Sequence, residues 1–252
     1  MTRTVRAPYR FVPDTPPELV VHDEIAPCPY LEGRLARLPL RIPARPLLAH
    51  ELDARLAVGD RRQGLLFYRT ECPACRACEP IRIDATVFRP GKTLRRTVRR
   101  NDAFIELELG RPVVDGTRIA LYNRHKVGRG LDNGREPIDF QGYREFLGLT
   151  SCDTFEMRYR LRGVLVGISI VDRGKDALSA VYSFYDPDHA RLSLGSYFIM
   201  KQLELCRTWN MRYLYLGLYI AESEHMRYKA RFLPHERLLD GRWTEIRENP
   251  TR

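Results

Sequence analysis

The chain has 252 residues, with 42 Lys and Arg against 32 Asp and Glu and a formal net charge of +10. This length predicts one or two domains, and a hydrophobic fraction of 44% excludes an intrinsically disordered protein. No apolar run approaches the roughly 20 residues of a membrane span, and residues 1–14 contain no apolar secretory signal. We therefore expect a cytoplasmic protein without a membrane partner, whose positive charge favours a polyanion.

The first third of the chain predicts few regular elements. Residues 1–26 are rich in proline, which predicts an irregular lead without stable elements of its own. The apolar spacing of Ala49–Gly64 predicts a short helix that ends near Gly59. Leu65–Tyr68 and Ile81–Val87 have the apolar patterns of strands.

Three of the six cysteines lie in the C-x2-C-x2-C run of Cys72–Cys78, between these two strands. In a cytoplasmic protein, closely spaced thiols bind metal or carry out redox chemistry more often than they form disulfides. Four thiolates suit tetrahedral zinc or an iron–sulfur cluster. The thiols of this candidate metal site are Cys28, Cys72, Cys75 and Cys78. The alternative is a set of reduced thiols that pack a tight turn, and Cys152 and Cys206 are expected to be ordinary buried cysteines.

The rest of the chain shows a regular order of strands and helices. Thr93–Asn101 predicts a helix that carries four arginines at i, i+4 spacing. The later segments predict a hairpin through Arg162 and Gly163, a strand, a helix and a buried strand. These four segments are Phe155–Val171, Ala177–Tyr185, Leu194–Trp209 and Tyr213–Ile220. The pattern is typical of an α+β or mixed α/β fold.

Several segments together resemble the aminoacyl-tRNA–protein transferases. The matching segments are Cys28–Leu31, Tyr68–Cys78, Pro80–Ile83, Phe88–Pro90, Arg95–Asn101, Ser193–Tyr197, Tyr213–Gly217, Met226–Phe232 and Pro234–Glu236. The resemblance covers residues 25–246. It implies an α+β, GNAT-like acyltransferase fold, in which helices flank a mixed sheet. It also implies a smaller cysteine-bearing domain over residues 1–100, whose first 26 residues form the lead, and the acyltransferase domain over residues 101–252.

The resemblance implies an enzyme that moves an amino acid from aminoacyl-tRNA to the α-amine of proteins beginning with Asp or Glu, as in the N-degron pathway. The bacterial branch of the family transfers leucine, and the mainly eukaryotic branch transfers arginine. The short chain and the C-P-x-C-x-x-C run look like the bacterial branch, and arginine remains the alternative. The transfer requires no cofactor because the aminoacyl ester is already activated.

The chemistry of this reaction suggests roles for particular residues. An acidic N-terminus needs a cationic pocket, for which Arg76 and Arg82 are candidates. Asp186, at the end of a predicted strand, is the candidate general base, and Tyr228 and Lys229 are further catalytic candidates. The candidates for binding tRNA are Arg95, Arg96, Arg99, Arg100, Lys229, Arg231, Ser193, Gly195 and Ser196. The last three lie at a predicted helix N-terminus, which binds anions through free N–H groups and the helix dipole.

Two other functional classes are compatible with parts of the sequence. The basic helix and the cysteine run alone would fit a metal-bearing nucleic-acid-binding module without catalysis, although no DNA partner is expected. A CoA-dependent acetyltransferase would need an R/Q-x-x-G-x-G/A loop, which this sequence lacks. The C-terminal segment Tyr213–Phe232 favours the transferase over the binding module, which would not need it.

Overall fold

The computed structural model describes residues 10–132 and 134–248. Its N-terminal part consists of short strands and one helix. They are β1 (Arg10–Val12), β2 (Glu18–His22), β3 (Ile25–Pro27), β4 (Leu35–Arg37), β5 (Leu40–Pro43), α1 (Ala49–Ala57), β6 (Arg61–Gln63) and β7 (Leu66–Tyr68). Five of these strands form an antiparallel sheet in the order β1-β2-β5-β7-β6, and β3 and β4 form a separate hairpin.

The remaining elements build a larger sheet and the helices that cover it. They are β8 (Glu79–Asp84), α2 (Lys92–Asp102), β9 (Ile105–Gly110), α3 (Gly116–Gly128), α4 (Phe140–Tyr143), β10 (Thr154–Leu161), β11 (Val164–Arg173), β12 (Ala177–Tyr185), α5 (Leu194–Thr208), β13 (Tyr213–Tyr219), α6 (Glu224–Arg227), β14 (His235–Leu239) and β15 (Arg242–Ile246). A π-helical turn, Arg144–Gly148, follows α4, and 3₁₀ turns precede α5 and follow α6.

The larger sheet has eight strands in the order β15-β14-β8-β13-β12-β11-β10-β9. Only β12 and β13 are parallel, since α5 connects them as a crossover. Helix α5 covers one face, where Phe198 stacks on Tyr159 with ring centroids 3.8 Å apart. Helix α3 covers the other face, where Tyr122 packs edge-on against Phe184. The predicted α+β class, with a mixed sheet flanked by helices, is confirmed.

Most of the predicted elements are confirmed. Arg162 and Gly163 have φ angles of 51° and 78°. These are the positive values that a two-residue hairpin turn requires. No helix in the described ranges has both the length and the apolar character that a membrane crossing needs.

Three strands lie in the segment that the sequence predicts to be irregular. β1, β2 and β3 all lie before residue 28, so the prediction is wrong for residues 10–26, while residues 1–9 lie outside the described part. Glu18 is fully buried in β2, and its Oε2 accepts a hydrogen bond from Arg41 Nη1 at 3.0 Å. A buried carboxylate is tolerated where it is paired, and local sequence does not reveal this pairing across strands.

Side chains from the two sheets pack together in one apolar cluster. Phe67 of β7 lies in one apolar cluster with Ala177 of β12 and Tyr215 of β13. β8, which the predicted division assigns to the N-terminal domain, is an interior strand of the larger sheet. The division into residues 1–100 and 101–252 stays a prediction.

Candidate active site

The strands β12 and β13 pair along only part of their length and then separate. Their parallel ladder joins Ala177–Ser179 to Tyr213–Tyr215 and then ends. Beyond this point β12 pairs with β11 as far as Tyr185, and β13 pairs with β8 as far as Tyr219. Open sheets bind ligands in crevices at the carboxyl ends of such diverging strands. We refer to the gap between residues 180–185 and 216–219 as the cleft.

The wall of the cleft formed by β13 contains a bulge and one glycine. The register against β8 shifts between Tyr215 and Gly217, and Gly217 has φ +83°. A Cβ at Gly217 would lie 2.5 Å from Cζ of Arg61, a residue of β6. Arg61 Nη2 is 3.5 Å from the carbonyl oxygen of Ala180 in β12. The arginine from the smaller sheet therefore reaches both walls of the cleft, and only glycine leaves room for it.

Lys229 lies against the same wall. Its Nζ donates a hydrogen bond of 2.6 Å to the carbonyl oxygen of Leu218, and the residue is 8% exposed. Burial, together with the smaller effect of nearby Arg61, lowers the pKa of Lys229 from 10.5 to about 7. Much of the lysine is therefore neutral at pH 7 and able to accept a proton. Its buried position suits proton transfer, and it does not suit the phosphate contact that was also predicted for it.

Tyr228 is half-buried beside Tyr185, the last residue of β12. Burial, together with the smaller effect of Tyr185, raises the pKa of Tyr228 to about 12. The phenol stays protonated at neutral pH and is a hydrogen-bond donor. Of the predicted catalytic residues, Tyr228 and Lys229 thus lie at the cleft, and Tyr228 is suited to donate rather than accept a proton.

Asp186 lies at the end of β12, where the sequence placed the general base. Its Oδ1 accepts hydrogen bonds from Arg124 Nη2 at 2.9 Å and from the amide of Asp188 at 3.0 Å. These contacts anchor the turn after β12, and a catalytic role for Asp186 stays a prediction.

Helix α2 presents an exposed basic surface next to the start of α5. Its four arginines form no ion pair with a carboxylate of the described residues. They are Arg95, Arg96, Arg99 and Arg100, and all are exposed. Asn101 Nδ2 donates to the carbonyl oxygen of Leu192 at 2.7 Å, which joins the end of α2 to the turn before α5. We call these four arginines the α2 patch.

The N-terminus of α5 contains the predicted residues Ser193, Gly195 and Ser196. Ser193 adopts a left-handed conformation with φ 54°, and its side chain makes no capping hydrogen bond. Gly195 faces the ring of Tyr185. The first N–H groups of α5 thus lie between the α2 patch and the cleft, and Arg231 is exposed in the turn after Lys229.

Neither arginine predicted to bind the acidic N-terminus is free in the cleft. Arg82 lies between the rings of Tyr213 and Trp243, and its Nε donates to Glu236 at 2.7 Å. Arg76 is exposed, and its Nη1 donates to the carbonyl oxygen of Cys72 at 2.6 Å. These contacts stabilise the cysteine loop and the pairing of neighbouring strands. The substrate roles of Arg76 and Arg82 stay predictions.

The four cysteines of the candidate metal site lie near one another as free thiols. Burial, together with the smaller effects of the three other cysteines, raises the pKa of Cys78 to about 12. The amide of Ala77 and the guanidinium of Arg34 lower the pKa of Cys75. In residues 10–132 and 134–248, no three His, Cys, Asp or Glu side chains converge as metal ligands. The prediction of zinc or an iron–sulfur cluster is therefore unsupported by the described side chains. Cys152 and Cys206 are buried, as predicted.

The sequence reasoning missed Arg61. Its neighbours in the chain, Asp60 and Arg62, are both charged, so no periodicity marks Arg61 as a residue of the site. The available signal was Gly217, a glycine inside a strand pattern, which indicates a bulge or a close approach.

Comparison with known proteins gives consistent family matches. The C-terminal model of the arginine-tRNA-protein transferases matches residues 117–239, and the N-terminal model matches residues 26–96. An aspartate/glutamate leucyltransferase of Chromobacterium violaceum is 38% identical over 88% of this chain and 91% of its own. Its counterpart in Gluconacetobacter diazotrophicus is 39% identical over 91% of this chain and 88% of its own. Among solved structures, FemX has a TM-score of 0.48 at 7% identity, over 89% of this chain and 84% of its own.

Proposed function

The chain belongs to the arginine-tRNA-protein transferase family, and we propose that it transfers leucine from leucyl-tRNA to the α-amine of proteins that begin with Asp or Glu. Leucine is favoured because similar full-length relatives are named aspartate/glutamate leucyltransferases. Since the donor is a cytoplasmic molecule, we place the reaction in the cytoplasm.

The observation that carries this proposal is a buried lysine, Lys229, whose Nζ is bonded to the carbonyl oxygen of Leu218 beside the diverging strands. In the transfer, the α-amine attacks the ester carbonyl carbon, a C–N bond forms, and the C–O bond to the ribose breaks. The attacking nitrogen must lose a proton, and the ribose oxygen must gain one. Lys229, with a pKa near 7, accepts the proton from the nitrogen. The resulting ammonium group of Lys229 returns this proton to the ribose oxygen as the C–O bond breaks, Tyr228 donates a hydrogen bond to that oxygen, and no cofactor takes part.

The tRNA would approach along the α2 patch. Its exposed arginines have no carboxylate partners in the described residues, so they are available to phosphates. The α2 patch leads to the N-terminus of α5, and Gly195 there faces Tyr185 at the end of β12. An acceptor arm bound along this path would place its aminoacyl end at the cleft.

Removing two charges from the α2 patch tests this path. We expect Arg95→Gln/Arg99→Gln, which neutralises one face of the helix, to raise the KM for leucyl-tRNA and leave kcat nearly unchanged. The slope of log KM against log salt should fall by about one for each lost phosphate contact. Arg162→Gln, in the exposed β10–β11 turn, is the matched control. An unchanged salt slope in the double variant would remove α2 from the binding surface.

The assay that decides the function offers radiolabelled leucyl-tRNA and arginyl-tRNA to peptides that differ only in their first residue. We expect leucine to appear on the Asp and Glu peptides and not on those that begin with Arg or Lys. Transfer of arginine alone would select the arginyltransferase activity. Transfer of neither amino acid to any peptide would defeat the proposal and favour a nucleic-acid-binding module without catalysis.

A further inference from the structure

Arg61 is an arginine in the cleft without an anionic partner. Its guanidinium lies over the backbone of Gly217, and its only hydrogen-bond acceptor in the described residues is the carbonyl oxygen of Ala180, 3.5 Å from Nη2. Nη1 is buried and has no hydrogen-bond partner in residues 10–132 and 134–248. Neighbouring arginines differ: Arg62 is paired through two nitrogens with Asp172, and Arg82 is paired with Glu236.

The unpaired guanidinium of Arg61 lowers the stability of the fold unless an anion binds to it. A partly buried guanidinium loses hydration, and an unsatisfied buried donor destabilises the fold further. Lys229 adds a second basic group nearby, and the pKa of Lys229 responds to the charge of Arg61. The described side chains therefore leave the cleft with unbalanced positive charge, which favours an anionic ligand.

We propose that Arg61 binds the side-chain carboxylate of the acceptor's first residue and thereby selects Asp and Glu. This inference rests on the proposed function. A guanidinium presents two parallel N–H groups to a carboxylate, and Nη1 of Arg61 has no hydrogen-bond acceptor among the described residues. In Asp and Glu, only one or two methylene groups separate the carboxylate from the carbon that bears the α-amine. An acceptor held at Arg61 therefore keeps its amine close to Lys229.

Arg61 fits this role better than the two arginines that the sequence suggested. The guanidinium of Arg82 is covered by the rings of Tyr213 and Trp243 and is paired with Glu236. Arg76 holds carbonyl groups of the cysteine loop. A different role for Arg61, stabilisation of the oxyanion formed at the ester, would act on every acceptor equally and is an outcome of the test below.

The test compares Arg61→Met and Arg61→Lys with the unchanged protein, using peptides that begin with Asp, Glu, Asn or Gln. We expect Arg61→Met to lower kcat/KM for Asp and Glu peptides by about 10²–10³-fold, since a charged pair loses one partner. The value for the Asn and Gln peptides should change less than threefold, so that the preference for acidic residues disappears. Arg61→Lys should recover part of the preference.

Three readouts make the result decisive. An equal loss for acidic and amide peptides, or an unchanged preference, would overturn the role of Arg61. If the unchanged protein transfers nothing to any peptide, the proposed function fails before a variant is needed. Thermal unfolding reports folding: Arg61→Met should melt at or above the temperature of the unchanged protein, because it removes an unpaired charge. Arg242→Gln, on exposed β15, is the control for loss of an arginine.

Discussion

Replacing Lys229 with Met is expected to lower kcat for leucine transfer by about 10²–10⁴-fold, the range for loss of a general base. The same change should raise the free energy of unfolding at pH 7. Methionine has a similar length and fills the buried space without a charge. Loss of the hydrogen bond to the Leu218 carbonyl oxygen offsets part of this gain. We expect a net stabilisation of about 1–3 kcal/mol, because the lysine is charged in the unfolded chain and must lose its proton or its hydration when it is buried.

The pH dependence of transfer distinguishes a base from a packing residue. The acceptor amine has a pKa of about 7.7–8.0 and reacts only when it is neutral. Lys229 has a pKa of about 7 and accepts a proton only when it too is neutral. In the unchanged protein, log kcat/KM should therefore rise with a slope near two below pH 7 and near one just above it. In Lys229→Met a slope of one should remain at every pH below the pKa of the acceptor amine, because only that amine titrates.

The free energy of unfolding should rise with pH above pH 7. Because folding lowers the pKa of Lys229 from 10.5 to about 7, the unfolded chain binds more protons between these values. The free energy of unfolding should therefore gain a contribution that rises from pH 7 to pH 10.5 and is lost as the pH falls towards 7. Urea unfolding at several pH values measures this contribution, and Lys229→Met should abolish it.

The control for these experiments is Lys175→Met. Lys175 is exposed in the turn between β11 and β12, and only its backbone amide is bonded to Asp53. This variant should match the unchanged protein in transfer rate and in the slope of the pH profile. If Lys229→Met keeps full activity, or keeps the slope of two, Lys229 is not the base and the anchored Asp186 becomes the stronger candidate.

Local signals in the sequence predicted those parts of the fold that local energetics determine. The hairpin at Arg162 and Gly163 needs only its own turn residues, and helix α5 shows its apolar period within one segment. The cleft is different, because it depends on where the ladder between β12 and β13 ends. This endpoint results from pairing with β11 and β8 on either side, which local patterns do not contain.

The same limit applied to the candidate site. Lys229 could be named from its motif, but its burial, and hence its lowered pKa, appears only once the turn packs on β13. Arg61 enters the cleft from a different sheet, so neither its position nor its lack of an anion could be predicted. The cysteine spacing suggested a metal, but spacing does not fix where thiols point, and the described side chains include no group of three metal ligands.

Asp172→Ala is expected to lower the free energy of unfolding by about 3–5 kcal/mol, the largest effect on stability that we predict. Asp172 in β11 accepts hydrogen bonds from Arg62 Nε at 2.7 Å and Nη2 at 2.8 Å, and both side chains are 1% exposed. Removing the carboxylate leaves a buried guanidinium without its partner. Asp153→Ala breaks an exposed pair with Arg173 and should cost less than about 1 kcal/mol.

A double variant separates stability from positioning. Arg62→Met/Asp172→Leu replaces the buried pair with apolar side chains, which should restore most of the lost stability in urea unfolding. Arg62 follows Arg61 directly in β6, and its pairing with Asp172 ties β6 to the larger sheet. If this tie sets the position of Arg61, the double variant should fold well and still prefer Asp over Asn peptides less strongly than the unchanged protein. An unchanged preference would show that the pair stabilises the fold without positioning Arg61 in the cleft.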